Sequence, residues 1–172
     1  MYAMKGKNPD ICARCKKPSC IWPDICKNLN ADHTPLLDLY KEVDRMPGIK
    51  KSFIGSGVRY DLLLHRYEEE KLNRAAGQYT EELIARHVSG RLKVAPEHTQ
   101  DRVLRLMRKP SFKLFEQFKR LFERINRQHA LNQQLIPYFI SSHPGCQITD
   151  MAELAVITKN LHFQLEQVQD FT

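Results

Sequence analysis

The spacing of apolar residues switches between two periods along the chain, and this predicts helices that alternate with short strands. In the segment TPLLDLYKEVDRMPG, apolar side chains recur at helical spacing. Thr34 can cap this helix, and Pro35 suits its first turn. Pro47 and Gly48 predict its end.

Short apolar runs predict strands near residues 50–54, 91–95, 135–140 and 167–171. Helical patterns separate these runs. One covers residues 60–90, and we expect it to break near Gly77. A second begins near Thr99, a long amphipathic one covers residues 112–127, and a fourth has the sequence ITDMAELAVITKNLH. Strands alternating with helices in this way predict βαβ units and a parallel sheet.

We therefore predict an α/β fold, a fragment of a partial parallel (β/α) barrel with about four strands and helices outside. Residues 1–34 form an N-terminal Cys-rich loop, and residues 35–172 form the barrel portion. Four strands are too few to close a barrel, so we expect an incomplete structure. Its open sheet edge suggests a dimer as a hypothesis.

Polar residues follow the first three predicted strands. In parallel α/β folds, the catalytic and ligand-binding residues lie at the carboxyl ends of the strands. We therefore expect one shared rim made of Ser56, Arg59, Glu97, His98, Ser141, Ser142 and His143. A hydrolase based on Ser and His would also need an activating geometry and an orienting acid, which the sequence does not supply.

Four of the five cysteines lie in ICARCKKPSCIWPDIC, with the spacing C-x2-C-x4-C-x5-C. They are Cys12, Cys15, Cys20 and Cys26. Four thiolates suit a closed tetrahedral zinc site, and they equally suit an iron–sulfur cluster. Free thiols are a further alternative, and disulfides are disfavoured in a reducing compartment. His33 is a substitute ligand, whereas we interpret Cys146 as a small turn or core residue.

The formal net charge of +7 favours an anionic partner such as nucleic acid. The alternative is that the basic residues are spread over solvated helix faces. No apolar run reaches the length of about 18 residues that a membrane span needs. The start MYAMKGKNPD has no apolar core of the kind found in signal peptides, so we expect a cytoplasmic protein with no membrane contact.

Several segments have a distinctive amino-acid sequence: MYAMKG, SCIWPDICKNLNADHTPLLDLY, GIKKSFIGSGVRYDL, VSGRLKVAPEHTQDRVLRLMRKP, LIPYFISSHPGC and EQVQDFT. They closely resemble the YgiQ-type family of radical S-adenosylmethionine (Fe–S oxidoreductase) proteins. The resemblance implies a bacterial enzyme with a partial (β/α) barrel of about six strands. It also implies a CxxxCxxC loop that holds a 4Fe-4S cluster, on which S-adenosylmethionine binds and is cleaved to a radical.

This chain contains no CxxxCxxC motif. The resemblance therefore implies a later portion of the barrel, carrying strands three to six, whose partner is the missing N-terminal part of the same protein. Alone, it is expected to be inactive, and neither reaction nor substrate is implied. The resemblance places Glu97 beside the cofactor, with Ser141 and Ser142 as further parts of the small-molecule pocket. Ser56 is a further candidate for this pocket, because a neighbouring glycine allows the backbone to approach a ligand closely.

Two alternatives remain open at this point. The carboxylate of Glu97 also suits the free N–H groups at the start of the next helix. The whole chain also has a rival interpretation from another class, a basic nucleic-acid-binding module with a structural zinc site.

Overall fold

A computed structural model describes residues 4–163 and 168–171 of the protein. Within these residues the chain forms helices and strands in this order: α1 (Pro9–Ala13), α2 (Thr34–Arg45), α3 (Tyr60–Leu64), α4 (Glu70–Arg86), β1 (Arg91–Glu97), α5 (Asp101–Leu106), α6 (Phe112–Gln128), β2 (Gln134–Ser141), α7 (Ile148–Asn160) and β3 (Val168–Asp170).

The chain divides into two compact units. The first contains Met1–Ile54 and Asp61–Val88, and therefore includes the Cys-rich loop, α1, α2 and α4. The second contains Gly55–Tyr60 and Ser89–Thr172, and includes the three strands with α5, α6 and α7.

The second unit is built on a parallel sheet with the strand order β1-β2-β3. β1 and β2 pair in register from Arg91 opposite Gln134 to Val94 opposite Pro137. The register then shifts, so that Glu97 lies opposite Phe139. This sheet confirms the predicted α/β class and the partial parallel (β/α) character.

Side chains alternate in β1 between buried and exposed positions, as a strand with one covered face should. Leu92 and Val94 are almost fully buried, whereas Arg91, Lys93 and Ala95 are exposed on the opposite face. Parallel sheets are usually covered on both faces. The exposed face of β1 is therefore the face that would line the inside of a barrel.

The predicted strand over residues 50–54 is wrong. This segment has no ladder partner in the described part of the chain, and Val58 instead forms a single parallel bridge with Val94. The N–H of Ile54 donates to the carbonyl of His87 at 2.8 Å, so the end of α4 holds the segment in place of a neighbouring strand. The fourth predicted strand is β3, with residue 167 lying outside the described residues.

The predicted helix break near Gly77 is also wrong, because α4 continues through this glycine. A helical glycine costs about 1 kcal/mol relative to alanine, and the buried neighbours Ala76 and Thr80 offset this cost through packing. The break lies earlier, between α3 and α4. There the Tyr67 N–H donates to the Asn73 side chain at 2.8 Å, and the Tyr67 hydroxyl donates to the Leu62 carbonyl at 2.9 Å.

An apolar stripe on α6 contributes much of the buried core in the second unit. Its members recur at helical spacing and are Phe112, Phe115, Phe118, Phe122 and Ile125. The ring of Tyr60 stacks on Phe118 with 5.6 Å between centroids. The apolar positions of the amphipathic pattern that predicted this helix are therefore the positions that the fold buries.

A run of aromatic rings connects α2 with α4 in the first unit. His33 stacks on Tyr79 at 5.1 Å, and Tyr40 stacks on the ring of His87 at 3.9 Å between centroids. A smaller apolar cluster in the same unit contains Ala31, Tyr67, Leu72 and Ala76. In the described residues, none of the helices combines the length and apolar character required to cross a bilayer.

Replacing Phe118 with Ala should lower the free energy of unfolding by about 3–5 kcal/mol, because it removes a fully buried ring and leaves a cavity. Urea unfolding followed by circular dichroism measures this loss. Ile148→Ala is the control, because Ile148 is 87% exposed and should change stability by no more than about 0.5 kcal/mol. Equal losses for the two variants would contradict the assigned core.

Candidate functional site at the carboxyl end of the sheet

Glu97 ends β1 in an unusual backbone conformation. Its φ is +66°, and the shift in register between β1 and β2 falls just before it. Its side chain is only 13% exposed, and it accepts a hydrogen bond from Lys109 Nζ at 2.6 Å. The carboxylate thus pairs with a lysine that follows α5, and it does not cap the helix, whose N-cap is Gln100.

His98 is completely buried at the same edge of the sheet. Its Nδ1 accepts from the N–H of Gln100 at 3.0 Å, so the hydrogen of the neutral ring is on Nε2. Nε2 lies 3.4 Å from the sulfur of Cys146. Burial lowers the pKa of His98 below its ordinary value, and a nearby aspartate only partly opposes this effect. The ring is therefore a neutral structural donor near pH 7 and is not exposed to act as a general base.

Cys146 receives this hydrogen bond from the loop that follows β2. Burial raises the pKa of its thiol, and the negative charge of Asp150 acts in the same direction. The thiol hydrogen points to the carbonyl of Gln147, at 3.6 Å from sulfur to oxygen. A thiol kept protonated in this way is a weak nucleophile, so the His98–Cys146 pair joins the ends of β1 and β2 without forming a catalytic dyad.

Arg102 on α5 connects that helix to the first turn of α7 and to the loop before it. Arg102 Nη2 lies 2.5 Å from Asp150 Oδ2, and Nη1 of the same guanidinium donates to the carbonyl of Gly145. The N–H of Gln147 also donates to Asp150, at 2.6 Å. These contacts, led by the Gln147 N–H, hold the pKa of Asp150 below its ordinary value. Gly145 has φ +88°, and a Cβ there would meet the Leu106 side chain at 2.6 Å.

Ser141 and Ser142 lie where β2 ends. The hydroxyl of Ser141 donates to the carboxylate of Asp170, which is the last residue of β3. Ser142 is exposed and has φ +59°. The Nδ1 of His143 lies 2.8 Å from the carbonyl oxygen of Pro144. The hydroxyl of Ser141 is thus bonded to Asp170 and not to His143, so a hydrolytic Ser–His pair is not assembled.

Ser56 does not join this edge of the sheet. It precedes the bridged residue Val58 by two positions, and the partner Val94 lies in the middle of β1. It is therefore displaced toward the amino end of β1, because the two segments run parallel. The expectation that Ser56 and Arg59 share the rim depended on the strand that the structure replaces with this bridge. A Cβ on Gly57 would lie 3.3 Å from the Lys93 carbonyl, so this glycine permits close backbone approach.

The Cys-rich loop is mostly exposed. Cys12, Cys15 and Cys20 are exposed, and Cys26 is half-buried. Asn28 Nδ2 donates to the Cys12 sulfur at 3.2 Å, and the N–H of Lys17 donates to the Cys15 sulfur at 3.4 Å.

The sulfurs of this loop are not gathered into a metal site in the structure. No three of them lie within 4.8 Å of one another in the described part of the chain. The predicted substitute ligand His33 is buried against Tyr79. The cysteine ligand set therefore stays a prediction, and binding a metal would require the loop to rearrange.

Sequence reasoning placed Glu97, His98, Ser141 and Ser142 at the carboxyl ends of adjacent strands. It missed the partners of three of them, which are Lys109 for Glu97, Cys146 for His98 and Asp170 for Ser141. The Gln-x-x-Asp spacing before α7 was an available signal for Asp150, because a carboxylate three residues after an N-cap can accept from its N–H. Nothing in the sequence signalled the other pairings.

Curated relatives match this chain from end to end. A UPF0313 protein from Bacteroides thetaiotaomicron is 71% identical over 172 residues, and one from Porphyromonas gingivalis is 67% identical over the same span. The chain is similar along its whole length to UPF0313 proteins. It spans 28% and 27% of the lengths of these two relatives, so it corresponds to about a quarter of each.

A more distant relative, from Salmonella typhimurium, is named UPF0313 protein YgiQ. It is 43% identical over 171 residues, which are 99% of this chain and 22% of the relative. This name confirms the YgiQ part of the resemblance, whereas radical chemistry is not part of the name. No family model matches the chain, and no solved structure matches it.

Replacing Asp150 with Asn should destabilise the protein at pH 7 and have progressively less effect in acid. The pKa of this carboxyl is lowered in the folded state. Its contribution to the free energy of unfolding is therefore complete above the pKa of an unfolded aspartate. The contribution is lost as the pH falls through the lower folded pKa. Thermal unfolding of Asp150→Asn and of the parent protein, from pH 7 down to about pH 3, measures the difference in melting temperature.

Glu116→Gln is the matched control for this series, because Glu116 lies on α6 and is not among the described partners of Asp150 or Arg102. The difference in melting temperature between Glu116→Gln and the parent protein should not shrink in a comparable way as the pH falls. A melting-temperature gap between Asp150→Asn and the parent protein that stays constant across the range would contradict the role assigned to the ionised carboxylate.

Proposed function

We propose that this chain forms the later part of the (β/α) core of a radical S-adenosylmethionine enzyme, and that the carboxyl end of its sheet binds the adenosyl portion of that cofactor. One observation carries the proposal. Glu97 and Ser141 are the last residues of two adjacent parallel strands and lie at the same edge of the sheet, and Ser142 follows Ser141. This edge is the usual ligand-binding position in open α/β sheets. The resemblance to YgiQ-type proteins supplies the cofactor class.

The residues of this chain do not fit the 4Fe-4S cluster of such an enzyme. The CxxxCxxC motif is absent, and the cysteines present have the spacing x2, x4 and x5. We therefore assign the cluster to a different part of a longer protein and derive no step through it. The Cys-rich loop retains its separate alternatives, a zinc site or an iron–sulfur site of structural character.

The rim residues do fit the adenosyl portion. A carboxylate accepts up to about four hydrogen bonds, so the pair with Lys109 leaves Glu97 able to accept from ribose hydroxyls. The pair also fixes the direction of the carboxylate, because Lys109 Nζ lies 2.6 Å from Oε1. Ser142 presents its hydroxyl at an exposed position. When bound, the cofactor would supply the 5′-deoxyadenosyl group, and these residues would bind and orient it.

The face of the sheet that would look into the barrel supports the same proposal. Lys93 and Ala95 are exposed on β1, and Ile136 and Tyr138 are half-buried on β2. A purely structural parallel sheet would carry apolar residues on both faces. A lysine on the inner face is consistent with a cavity that admits a polar ligand.

Replacing Glu97 with Gln in a full-length protein that contains this segment should weaken S-adenosylmethionine binding. The loss of a hydrogen bond to a charged group costs about 1.5–3 kcal/mol, which corresponds to a rise of about 10-fold or more in Kd. Equilibrium dialysis under anaerobic conditions, after iron–sulfur reconstitution, measures this Kd. Residues 1–172 alone provide the baseline and should not cleave the cofactor, because they lack CxxxCxxC.

Glu116→Gln provides the control for loss of one carboxylate outside the rim. It should bind the cofactor as tightly as the parent protein. If Glu97→Gln binds equally well while keeping the parent circular dichroism spectrum, Glu97 does not touch the cofactor. If the full-length parent protein neither binds nor cleaves S-adenosylmethionine, the enzyme class itself is wrong.

Nucleic-acid binding is a second candidate function, favoured by a stripe of basic residues on α6. The positions lie within one narrow arc of the helix, opposite the phenylalanines, and all are exposed: Lys113, Arg120, Arg124 and Arg127. Such a stripe can follow a phosphate backbone.

If this stripe binds RNA, the affinity should fall steeply with salt, and Arg120→Glu with Arg124→Glu should weaken it strongly. Fluorescence anisotropy with a single-stranded RNA, at several salt concentrations, measures both effects. Lys50→Glu with Lys51→Glu makes the same change in charge at exposed positions elsewhere and should have little effect. Absence of binding even at low salt would remove this candidate.

A further inference from the structure

His87 contains a buried nitrogen without a hydrogen-bond partner. The residue follows the last residue of α4 as its C-cap, and its side chain is 1% exposed. The nitrogen without a partner is Nε2. Leaving a buried polar atom unsatisfied costs about 1–3 kcal/mol, so such an atom in a well-packed structure calls for a physical explanation.

The other ring nitrogen determines the state of Nε2. Nδ1 lies 2.9 Å from the carbonyl oxygen of Ser52 and 3.0 Å from its hydroxyl oxygen. That hydroxyl already donates its hydrogen to Asp44 Oδ1 at 2.8 Å. Both Ser52 oxygens therefore face Nδ1 as acceptors, and Nδ1 carries the ring hydrogen. In the neutral ring, Nε2 then presents a lone pair.

Two carboxylates converge on this lone pair. Nε2 lies 3.9 Å from Asp44 Oδ2 and 3.7 Å from Glu82 Oε1, and the three ligand atoms all lie within 4.8 Å of one another. Both separations are too long for a hydrogen bond. Zinc ligands at about 2.0–2.2 Å with tetrahedral angles lie roughly 3.4 Å apart, so small side-chain shifts would close this set around an ion.

We propose that Asp44, Glu82 and His87 form a binding site for a divalent transition-metal cation, with Zn²⁺ as the expected ion. Two carboxylates neutralise a charge of +2, and the imidazole favours zinc over Mg²⁺ or Ca²⁺. The protein supplies three ligands, which leaves one position for water or another small ligand. Asp44 and Glu82 are 33% and 30% exposed, so the ion can enter from solvent.

The outer contacts of the site are those that a metal ligand requires. The Ser52 carbonyl fixes the His87 tautomer, and the Ser52 hydroxyl orients the Asp44 carboxylate. Tyr40 stacks on the imidazole with 3.9 Å between ring centroids and holds its plane.

A competing cation is nearby but weakly held. Arg86 Nη1 lies 3.6 Å from Glu82 Oε1, and its side chain is 68% exposed. Exposed ion pairs of this kind contribute little, so a bound metal would displace this contact. The proposed ion would join α2 to the end of α4. It would give His87 the partner that the hydrogen-bond network lacks.

The test must separate this site from the Cys-rich loop, which can also take zinc. We would therefore titrate Zn²⁺ into a variant with Cys12, Cys15, Cys20 and Cys26 replaced by Ser, using isothermal titration calorimetry. The expected stoichiometry is one ion per chain. Co²⁺ bound there should show a visible spectrum without the thiolate charge-transfer absorption, and Mg²⁺ should not displace it.

Two carboxylate variants locate the ion. Asp44→Asn and Glu82→Gln should each weaken Zn²⁺ binding by at least about 10-fold. Asp38→Asn is the matched control on the same helix, because Asp38 is exposed and pairs only with Lys41 among its described contacts. Equal Zn²⁺ affinity for all three variants would overturn the proposal, as would a failure of the cysteine-free protein to bind Zn²⁺.

Nuclear magnetic resonance of the unmodified chain keeps the test independent of the cysteine substitutions. Nitrogen-15 spectra of the His87 ring should show the Nδ1–H tautomer before metal is added, and the Nε2 resonance should move on addition of Zn²⁺. A His87 ring whose nitrogen-15 resonances do not respond to Zn²⁺ would mean that the three residues form an ion-pair cluster. That result would overturn the metal site.

Discussion

The parallel pairing of β1 with β2 is the constraint on which the rest of the second unit depends. Placing Glu97 opposite Phe139 brings the ends of both strands to one edge of the sheet. Only then can Nε2 of His98 reach the sulfur of Cys146, 48 residues later. The edge is therefore a product of strand register. A one-residue slip would turn every inward side chain of β2 to the other face.

Strong, local patterns in the sequence predicted the elements well. The helix expected over residues 112–127 is α6 (Phe112–Gln128), and the strands expected near 91–95 and 135–140 are β1 and β2. The prediction was wrong where tertiary contacts decide the outcome. The segment over residues 50–54 has a strand-like composition, but its backbone bonds to His87, 33 residues beyond Ile54. Gly77 lies within a helix because its neighbours are buried.

The candidate rim could be predicted only in part, for a related reason. Its position follows from the rule that parallel strands present their carboxyl ends together, and Glu97, Ser141 and Ser142 obey that rule. The contacts that orient them come from residues that local spacing does not connect. Lys109 is 12 residues from Glu97, and Asp170 is 29 residues from Ser141. The cluster of Asp44, Glu82 and His87 likewise has no motif, because Asp44 comes from α2 and the other two residues come from the end of α4.

The alternation of buried and exposed positions in β1 has a consequence for how such a protein can change. Leu92 and Val94 serve packing, whereas Lys93 and Ala95 stand on the opposite face and carry no part of the core. Substitutions of Lys93 or Ala95 would alter the chemistry of this exposed face while leaving the core residues of β1 in place. The chemistry of one face of the sheet can therefore vary independently of the core through alternate residues of a single strand.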